Sequence, residues 1–470
     1  MPNRRQFLRG SALLTGQGLL GLGGSALYPS PAQARPEQER AATDARPNIL
    51  LVLADDLGYG ALGSYGQRII KTPVMDRLAR QGLRFTQAYA AASVCAPSRC
   101  SLFTGLHSGH SRVRQNPRAG SPTALRDGDT TFAEVLRAAG YRTGLIGKWG
   151  FGPEHGGQPS SPDARGFEEF FGYITHGAAH DYHPDHLWHN GTRVRVRNDG
   201  YAPDLLRDRA VSYLRKSGGG PFLLTYTPNL PHAPSDVPSL GRYRARPWSR
   251  ADRGHAAQIT RLDSHLGDLL RALPSGRPTL VLVTSDNGPH EEGGVNPDRF
   301  DANGRLRGYK RNLYEGGIRV PLIAWAPGLV RRGTTARVTQ HTDLLPTLAE
   351  FAGASAPGGL DGVSLRGALT GQGGQGPAGH LYWYRSENHS TRRANAAEGG
   401  SVTRMAEAVR QGDWKLVRFA PGRERPPSDF KWKNELYNLR KDPGEHHDVA
   451  ARHPELVIRL SRLAGSSWRG

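Results

Sequence analysis

The sequence predicts an α/β protein, one large sheet flanked by helices and followed by a small α+β domain, on three observations. Short apolar runs rich in Val, Leu and Ile alternate with helical patterns as far as residue 352. The composition then breaks at Gly371-Gln372-Gly373-Gly374-Gln375-Gly376-Pro377, which has no periodicity and reads as a flexible connector. Beyond it lie shorter strand-like runs and one terminal helical pattern, enough for a small antiparallel sheet with a helix.

The N-terminus stands apart from the fold. Arg4-Arg5-Gln6-Phe7-Leu8-Arg9 precedes an apolar, Gly-rich stretch from Ala12 to Leu27, which ends near Ala32-Gln33-Ala34. This is the pattern of a twin-arginine export signal over residues 1–34, read by the Tat translocase. Gly, Ser, Thr and Gln interrupt the apolar stretch, and no later run approaches the roughly 20 apolar residues of a membrane span. The expectation is a soluble, periplasmic or secreted protein without stable membrane association. Of 470 residues, 436 remain after residue 34. They are expected to form a catalytic domain over 35–370, a linker over 371–379 and a small domain over 380–470.

Residues 48–54, Asn-Ile-Leu-Leu-Val-Leu-Ala, form an apolar run that stops at Asp55-Asp56 and predict a buried strand delivering two carboxylates to the sheet edge. Thr72-Pro73 opens a helix that stops at Gly82. Further strands are expected at 83–89, 141–146, 221–226, 278–284 and 317–325, and helices at 130–139, 251–273 and 342–352. In the small domain, strands are expected at 380–384, 408–409, 414–419 and 436–439, with a helix after Pro454. Residues 390–401 and 421–428, rich in Arg, Pro or Gly, read as mobile loops.

The formal charge is +20, or +17 once Arg4, Arg5 and Arg9 leave with the signal. Such a surface favours polyanions. The arginines are scattered and no basic helix or aromatic-interleaved basic patch stands out, which argues against nucleic acid as a partner. Only Cys95 and Cys100 occur, five apart around a helix start where their side chains diverge, so no disulfide is expected.

Three points could supply oxygen donors to a hard cation, Ca²⁺ or Mg²⁺: Asp55-Asp56, Asp286-Asn287 after the strand over 278–284, and an oxygen at position 95. Each is commonplace alone, since Asp-Asp caps turns, Asp-Asn-Gly is a tight turn and a lone Cys is usually a small buried hydrophobe. Pro97 suits the first turn of a helix through Arg99, Leu102 and Phe103, which places residue 95 at an N-terminus that attracts anions. Arg99, one turn in, can reach back toward the carboxylates.

The run Cys95-Ala96-Pro97-Ser98-Arg99-Cys100-Ser101-Leu102-Phe103-Thr104-Gly105 resembles the signature of the formylglycine-dependent sulfatases, arylsulfatase-like members of the alkaline phosphatase superfamily. Supporting runs are Gly147-Lys148-Trp149-Gly150, Gly166-Phe167, Ala179-His180, Leu187-Trp188-His189-Asn190, Pro231-His232-Ala233-Pro234 and Ser285-Asp286-Asn287-Gly288. The longest runs from Leu306 through Lys310 and Tyr314-Glu315-Gly316-Gly317 to Pro321, and Leu436-Tyr437-Asn438-Leu439 with Asp442-Pro443-Gly444-Glu445 closes the pattern.

The resemblance implies an alkaline-phosphatase-like large mixed sheet and a sulfatase. Cys95 would be oxidised by a formylglycine-generating enzyme to an aldehyde whose hydrate attacks sulfur. Asp55, Asp56, Asp286 and Asn287 would bind the cation with residue 95, Lys148 and Lys310 would grip the sulfate oxygens, and Arg99 would orient the formylglycine. His232 would protonate the leaving alcohol or hold the ester oxygen. The substrate would be a small-molecule or carbohydrate sulfate ester.

Many family members carry histidine where Gly150 stands, and that residue helps expel sulfate. His180 is the expected replacement, with His176 behind it, while His183, His186 and His189 read as solvated loop residues. Substrate choice is expected in the loops over 181–200, 234–250 and 385–401. The alternative functions are a phosphate or phosphonate ester hydrolase of the same superfamily and a non-catalytic protein that binds sulfated glycans.

Overall fold

The structure is a computed structural model. It describes residues 46–469 apart from 118–122, 156, 198–199, 374–375, 377–378, 387–390, 401–403 and 428. The expected export signal lies outside these residues, as does part of the expected linker.

The main strands, in chain order, are β1 (Asn48–Ala54), β2 (Leu83–Tyr89), β3 (Arg142–Lys148), β4 (Glu169–Tyr173), β5 (His186–His189), β6 (Thr192–Arg195), β7 (Phe222–Thr227), β8 (Thr279–Ser285), β9 (Arg319–Trp325), β10 (Gly333–Thr335) and β11 (Thr339–Gln340). They form one mixed sheet in the order β10-β2-β9-β8-β1-β7-β3-β4-β5-β6, with β11 beside β2. Its centre is parallel: β1 pairs with β7 on one side and β8 on the other. A central strand buried on both faces must be apolar throughout, and all seven residues of β1 are buried.

Because side chains alternate along a strand, β1 feeds two cores. Leu50 and Val52 join Met75 and Leu78 of α1 (Pro73–Gln81) and Leu206 of α4 (Ala202–Arg215). Ile259, Leu262, Leu266 and Leu269 of α5 (Arg250–Arg271) complete that face, spaced three or four apart as a helical stripe requires. Ile49, Leu51 and Leu53 point the other way, onto α2 (Cys95–Thr104), α3 (Phe132–Ala138) and α6 (Leu344–Phe351).

Local chemistry fixes several helix starts. Thr131 and Glu134 form a reciprocal capping box at α3, and Ser249 Oγ accepts from Asp252 N–H at α5. Every residue of α2 is buried, so this helix lies within the protein rather than on its surface.

A second sheet, β12 (Leu381–Arg385), β13 (Met405–Gln411), β14 (Trp414–Ala420) and β15 (Lys433–Asn438), is antiparallel throughout. One face, with Trp383, Ala408 and Val417, packs on Tyr89, Leu313 and Ile318 of the larger unit. The other, with Tyr382, Val409 and Leu416, is covered by Leu460 and Ala464 of the terminal helix α7 (Pro454–Ser466). Between the two sheets Lys415 Nζ lies 3.0 Å from Glu315 and 2.9 Å from Glu445, all three fully buried. Tyr89 Oη donates to Glu315 at 2.6 Å.

The expected loop over 390–401 contains a short helix, Arg392–Ala397, anchored where Arg393 meets Glu291 and Asp298. His186 and His189 are not solvated loop residues either. They lie on β5, half-buried, beside Glu154 and Glu169. Only His183 sits in a loop, 3.5 Å from Asp236.

Candidate active site

Adjacent parallel strands end level with one another, so whatever follows them is brought together at the C-terminal edge of the sheet. Ala54 of β1 is opposite Ser285 of β8, and Asp55-Asp56 and Asp286-Asn287 therefore lie side by side. The turns interlock: Asp286 N–H donates to Ala54 O at 3.1 Å, and Asp56 N–H donates to Asp286 Oδ1 at 3.0 Å. Asp56 takes a left-handed backbone (φ 68°) to make this bend. Behind Asn287, Gly288 presses on the turn of Gly316-Gly317, where a Cβ at 288 would fall 2.0 Å from Gly316 O. That contact accounts for glycine at 288.

The first turn of α2 faces this edge. Cys95 Sγ is 3.2 Å from Asp55 Oδ1 and 3.7 Å from Asp56 Oδ1. Arg99 Nε donates to Asp286 Oδ2 at 2.9 Å, its second terminal nitrogen lies 3.6 Å from Asp55, and it also donates to Lys148 O. Lys148, the last residue of β3, donates to Asp55 Oδ2 at 2.7 Å. Lys310 mirrors it, donating to Asp56 Oδ2 at 2.7 Å and approaching His232 Nε2 at 3.0 Å. His232 Nδ1 lies 2.6 Å from Ala233 O. That contact requires a proton on Nδ1 and leaves Nε2 as the acceptor from Lys310.

Nearly all of these groups are buried. Burial pushes the Asp55 carboxyl up, but Lys148 and Arg99 outweigh it and hold it well below its usual range. Asp286 is pushed up to about 7 by burial and by the charge of Asp55. Burial, reinforced by Asp55, raises the Cys95 thiol well above its ordinary range, so the sulfur is a protonated, poor nucleophile. His232 is lowered to about 4 by burial and Lys310.

The residues fit a hard cation. Four ligand atoms, from Asp55, Asp56, Cys95 and His232, lie within 4.8 Å of one another. Asn287 Nδ2 is taken by Asp56 at 2.6 Å, while its Oδ1 is buried with no hydrogen-bond partner. An oxygen in that state, beside three carboxylates, is a ready cation ligand. The donors are oxygens apart from Cys95 and His232, and a formylglycine would replace the sulfur with oxygen.

His180 follows in the same cluster. Its ring is stacked on His232 with centroids 4.4 Å apart, and His176 packs edge-on against His180 at 5.0 Å. His180 Nε2 and His176 Nδ1 are both buried without a partner. At Gly150 (φ 99°) a Cβ would meet only Arg99 Cδ, at 3.7 Å, so there is room beside Arg99 where the side chain is missing.

The structure adds residues that the sequence does not mark. Glu292 pairs with Lys310 at 3.3 Å and with Arg311 at 2.6 Å, and His290 stacks near His232 at 5.6 Å. The only sequence signal was their proximity to Asp286-Asn287, in a run that reads as an ordinary turn.

Buried carboxylates at strand ends, a helix N-terminus aimed at them and two lysines on their outer oxygens make up, on a mixed α/β sheet, a site of the class that acts on anionic esters. Comparison with known proteins narrows this. A family model described as Sulfatase matches residues 47–354, and one described as N-sulphoglucosamine sulphohydrolase, C-terminal, matches 307–461. The chain is 33% identical to arylsulfatase A of Homo sapiens over 470 aligned residues, covering 89% of this chain and 87% of that one. It is 32% identical to steryl-sulfatase of Mus musculus, covering 89% and 81%. The crystal structure of Ps i-CgsB with k-i-k-neocarrahexaose superposes with a TM-score of 0.74 at 27% identity, covering 90% of this chain and 93% of that one. The chain belongs to the sulfatase family and is a sulfuric ester hydrolase.

Proposed function

We propose that this chain is an exported sulfatase that releases inorganic sulfate from a sulfated carbohydrate, using a formylglycine made from Cys95. The observation that carries the reading is the placement of residue 95. It sits against Asp55 and Asp56, with Lys148 and Lys310 on the outer oxygens of the same two carboxylates. The carbohydrate part rests on similarity to Ps i-CgsB, solved with a neocarrahexaose, and to N-acetylgalactosamine-6-O-sulfatase of Bacteroides thetaiotaomicron, 26% identical over 92% of this chain. The division proposed is a signal over 1–34, a catalytic domain over 35–370, a linker over 371–379 and a small domain over 380–470.

Asp55, Asp56, Asp286 and Asn287, with an oxygen at residue 95, are proposed to hold Ca²⁺ or Mg²⁺. When bound, such a cation would supply positive charge that polarises a sulfate oxygen and acidifies a hydroxyl at residue 95. Arg99 holds Asp286 and Asp55 in place through its guanidinium. Lys148 and Lys310 would turn from their carboxylates toward the sulfate oxygens, where charge builds in the transition state. His232 is neutral at rest with its lone pair on Lys310. An entering anion would favour a proton on Nε2, which can then pass to the departing alcohol. His180, stacked on it with a free ring nitrogen, is the proposed base that resets residue 95.

The test is mass spectrometry of the tryptic peptide from Phe85 to Arg99, taken from protein made in its native host, paired with an assay of sulfate release. Formylglycine at 95 in active protein is expected. An unmodified thiol throughout an active sample would refute the reading, and faster turnover of the matching phosphate ester would move the chain to the phosphohydrolases.

A further inference from the structure

Five arginines from two distant parts of the chain, Arg112, Arg114 and Arg126 in one and Arg423 and Arg425 in the other, line one cavity of about 830 Å³ together with Trp468. A single lining carboxylate, Glu424, opposes them. Two of the arginines are held in place. Arg114 lies 4.0 Å over the Trp468 ring and donates to the carbonyls of Ser111 and Gly109, and Arg425 lies 5.3 Å over the same ring with Nε on Glu407. The side chains of Arg112, Arg126 and Arg423 are exposed and have no hydrogen-bond or ion-pair partner among the described residues. Elsewhere in the protein arginines are widely paired, as Arg165, Arg207, Arg261 and Arg299 are. The three unpartnered guanidinium groups therefore add net positive charge at this cavity.

Two of the lining residues are next in sequence to residues bonded close to the active site. Gln115 lines it, and the next residue, Asn116, accepts the N–H of Ala96 at 3.0 Å, adjacent to Cys95. Ser386 also lines it and follows Arg385, which donates to Arg311 O at 2.9 Å, while Arg311 pairs with Glu292, which also pairs with Lys310. We propose that this cavity is a second anion site, which grips a sulfate group further along the same glycan chain that presents the scissile ester to Cys95. The proposal rests on the carbohydrate-sulfatase reading above.

The chemistry favours a sulfated glycan. Guanidinium groups offer planar forks of donors that match the oxygens of a tetrahedral oxyanion, and the volume suits a small ligand segment rather than a flat polymer surface. A single-stranded nucleic acid would need aromatic faces for its bases. Trp468 cannot offer one readily, since Arg114 lies over its ring and Tyr384 packs against it at 4.7 Å.

The test compares the full-length chain with its Arg112→Gln/Arg126→Gln/Arg423→Gln variant, all three positions being exposed. Binding of k-i-k-neocarrahexaose and of a heparin hexasaccharide is measured by calorimetry at low and physiological salt, with Cys95→Ala in both proteins to prevent turnover. For at least one of the two sugars the triple variant is expected to bind about tenfold more weakly and with a shallower salt dependence. With Cys95 restored and formylglycine present, its kcat/KM on a monosulfated aryl ester should stay within about twofold of the parent. Unchanged affinity for both hexasaccharides would overturn the proposal. So would a single-stranded DNA of equal charge that binds as tightly and loses as much in the variant. Failure of the sulfatase reading would appear separately, as absence of sulfate release by the formylglycine-bearing parent.

Discussion

The rings of His180 and His232 lie parallel, 6° apart in plane and with centroids 4.4 Å apart. Burial, followed by the charges of His232 and Lys148, lowers His180 to about 3, so it is neutral and able to accept a proton. Replacing His180 with Ala should cut kcat by about 10²–10⁴. If His180 acts in the reset, rapid-quench measurement should show one equivalent of alcohol released quickly and sulfate following slowly. Loss of the rapid phase along with the slow one would place its action earlier.

Lys310 is the hub of Asp56, His232 and Glu292. Lys310→Ala would leave the buried carboxylate of Asp56 and the partly exposed one of Glu292 without their shared counter-charge. The expected cost is about 3–5 kcal/mol of stability, together with loss of measurable turnover. Denaturant unfolding checks the first, and an unchanged midpoint would show that Arg311 and His232 suffice as partners.

Cation removal gives an independent prediction. Exhaustive chelation should abolish sulfate release, and Ca²⁺ or Mg²⁺ should restore it. Added cation should also raise the melting temperature, because ligand at 100 times its Kd stabilises the folded state by about 2.7 kcal/mol. The Asn287→Ala variant should need more cation to reach the same midpoint. An identical titration in the variant would remove Asn287 from the ligand set.

His341 sets an acid limit on stability. It is fully buried behind β8, with Nε2 3.1 Å from Thr284 Oγ1, and burial lowers it to about 3. Above pH 6.5 folded and unfolded forms are both neutral and no penalty arises. As pH falls from about 6.5 toward 3 the unfolded chain takes up a proton that the folded one refuses. Stability should fall by about 1.4 kcal/mol per pH unit from this residue. His341→Gln should flatten the decline measured by denaturant unfolding between pH 6.5 and 5, and parallel curves would contradict the assignment.

The sequence was most legible where burial and punctuation agree. Strand β1, helix α1 and strand β2 lie where the apolar run, Thr72-Pro73 and Gly82 place them. Helix α4 has no counterpart among the expected elements. Its buried positions include Ala202, Ala210 and Tyr213, and Asp204, Arg207 and Asp208 interrupt the apolar stripe. Strands β5 and β6 were hidden because β6 is an exposed edge with two arginines. In the site, residues that follow strands or open helices could be named from their motifs. Glu292 could not, since its importance comes from reaching Lys310 and Arg311 across a turn. The arginine cavity was equally invisible, because its arginines come from two segments far apart in sequence that only folding brings together.

The buried contact of Lys415 with Glu315 and Glu445 carries a consequence for inheritance rather than chemistry. Separating the small sheet from the large one would expose the apolar face around Trp383 and Val417 to water and pull Lys415 away from Glu315. The two sheets must therefore melt together, and a cut in the connecting stretch would not release either piece. Substitutions at Lys415 or Glu445, remote from the sulfur-cleaving centre, would deplete the amount of enzyme that survives in the cell while leaving each surviving molecule as fast as before.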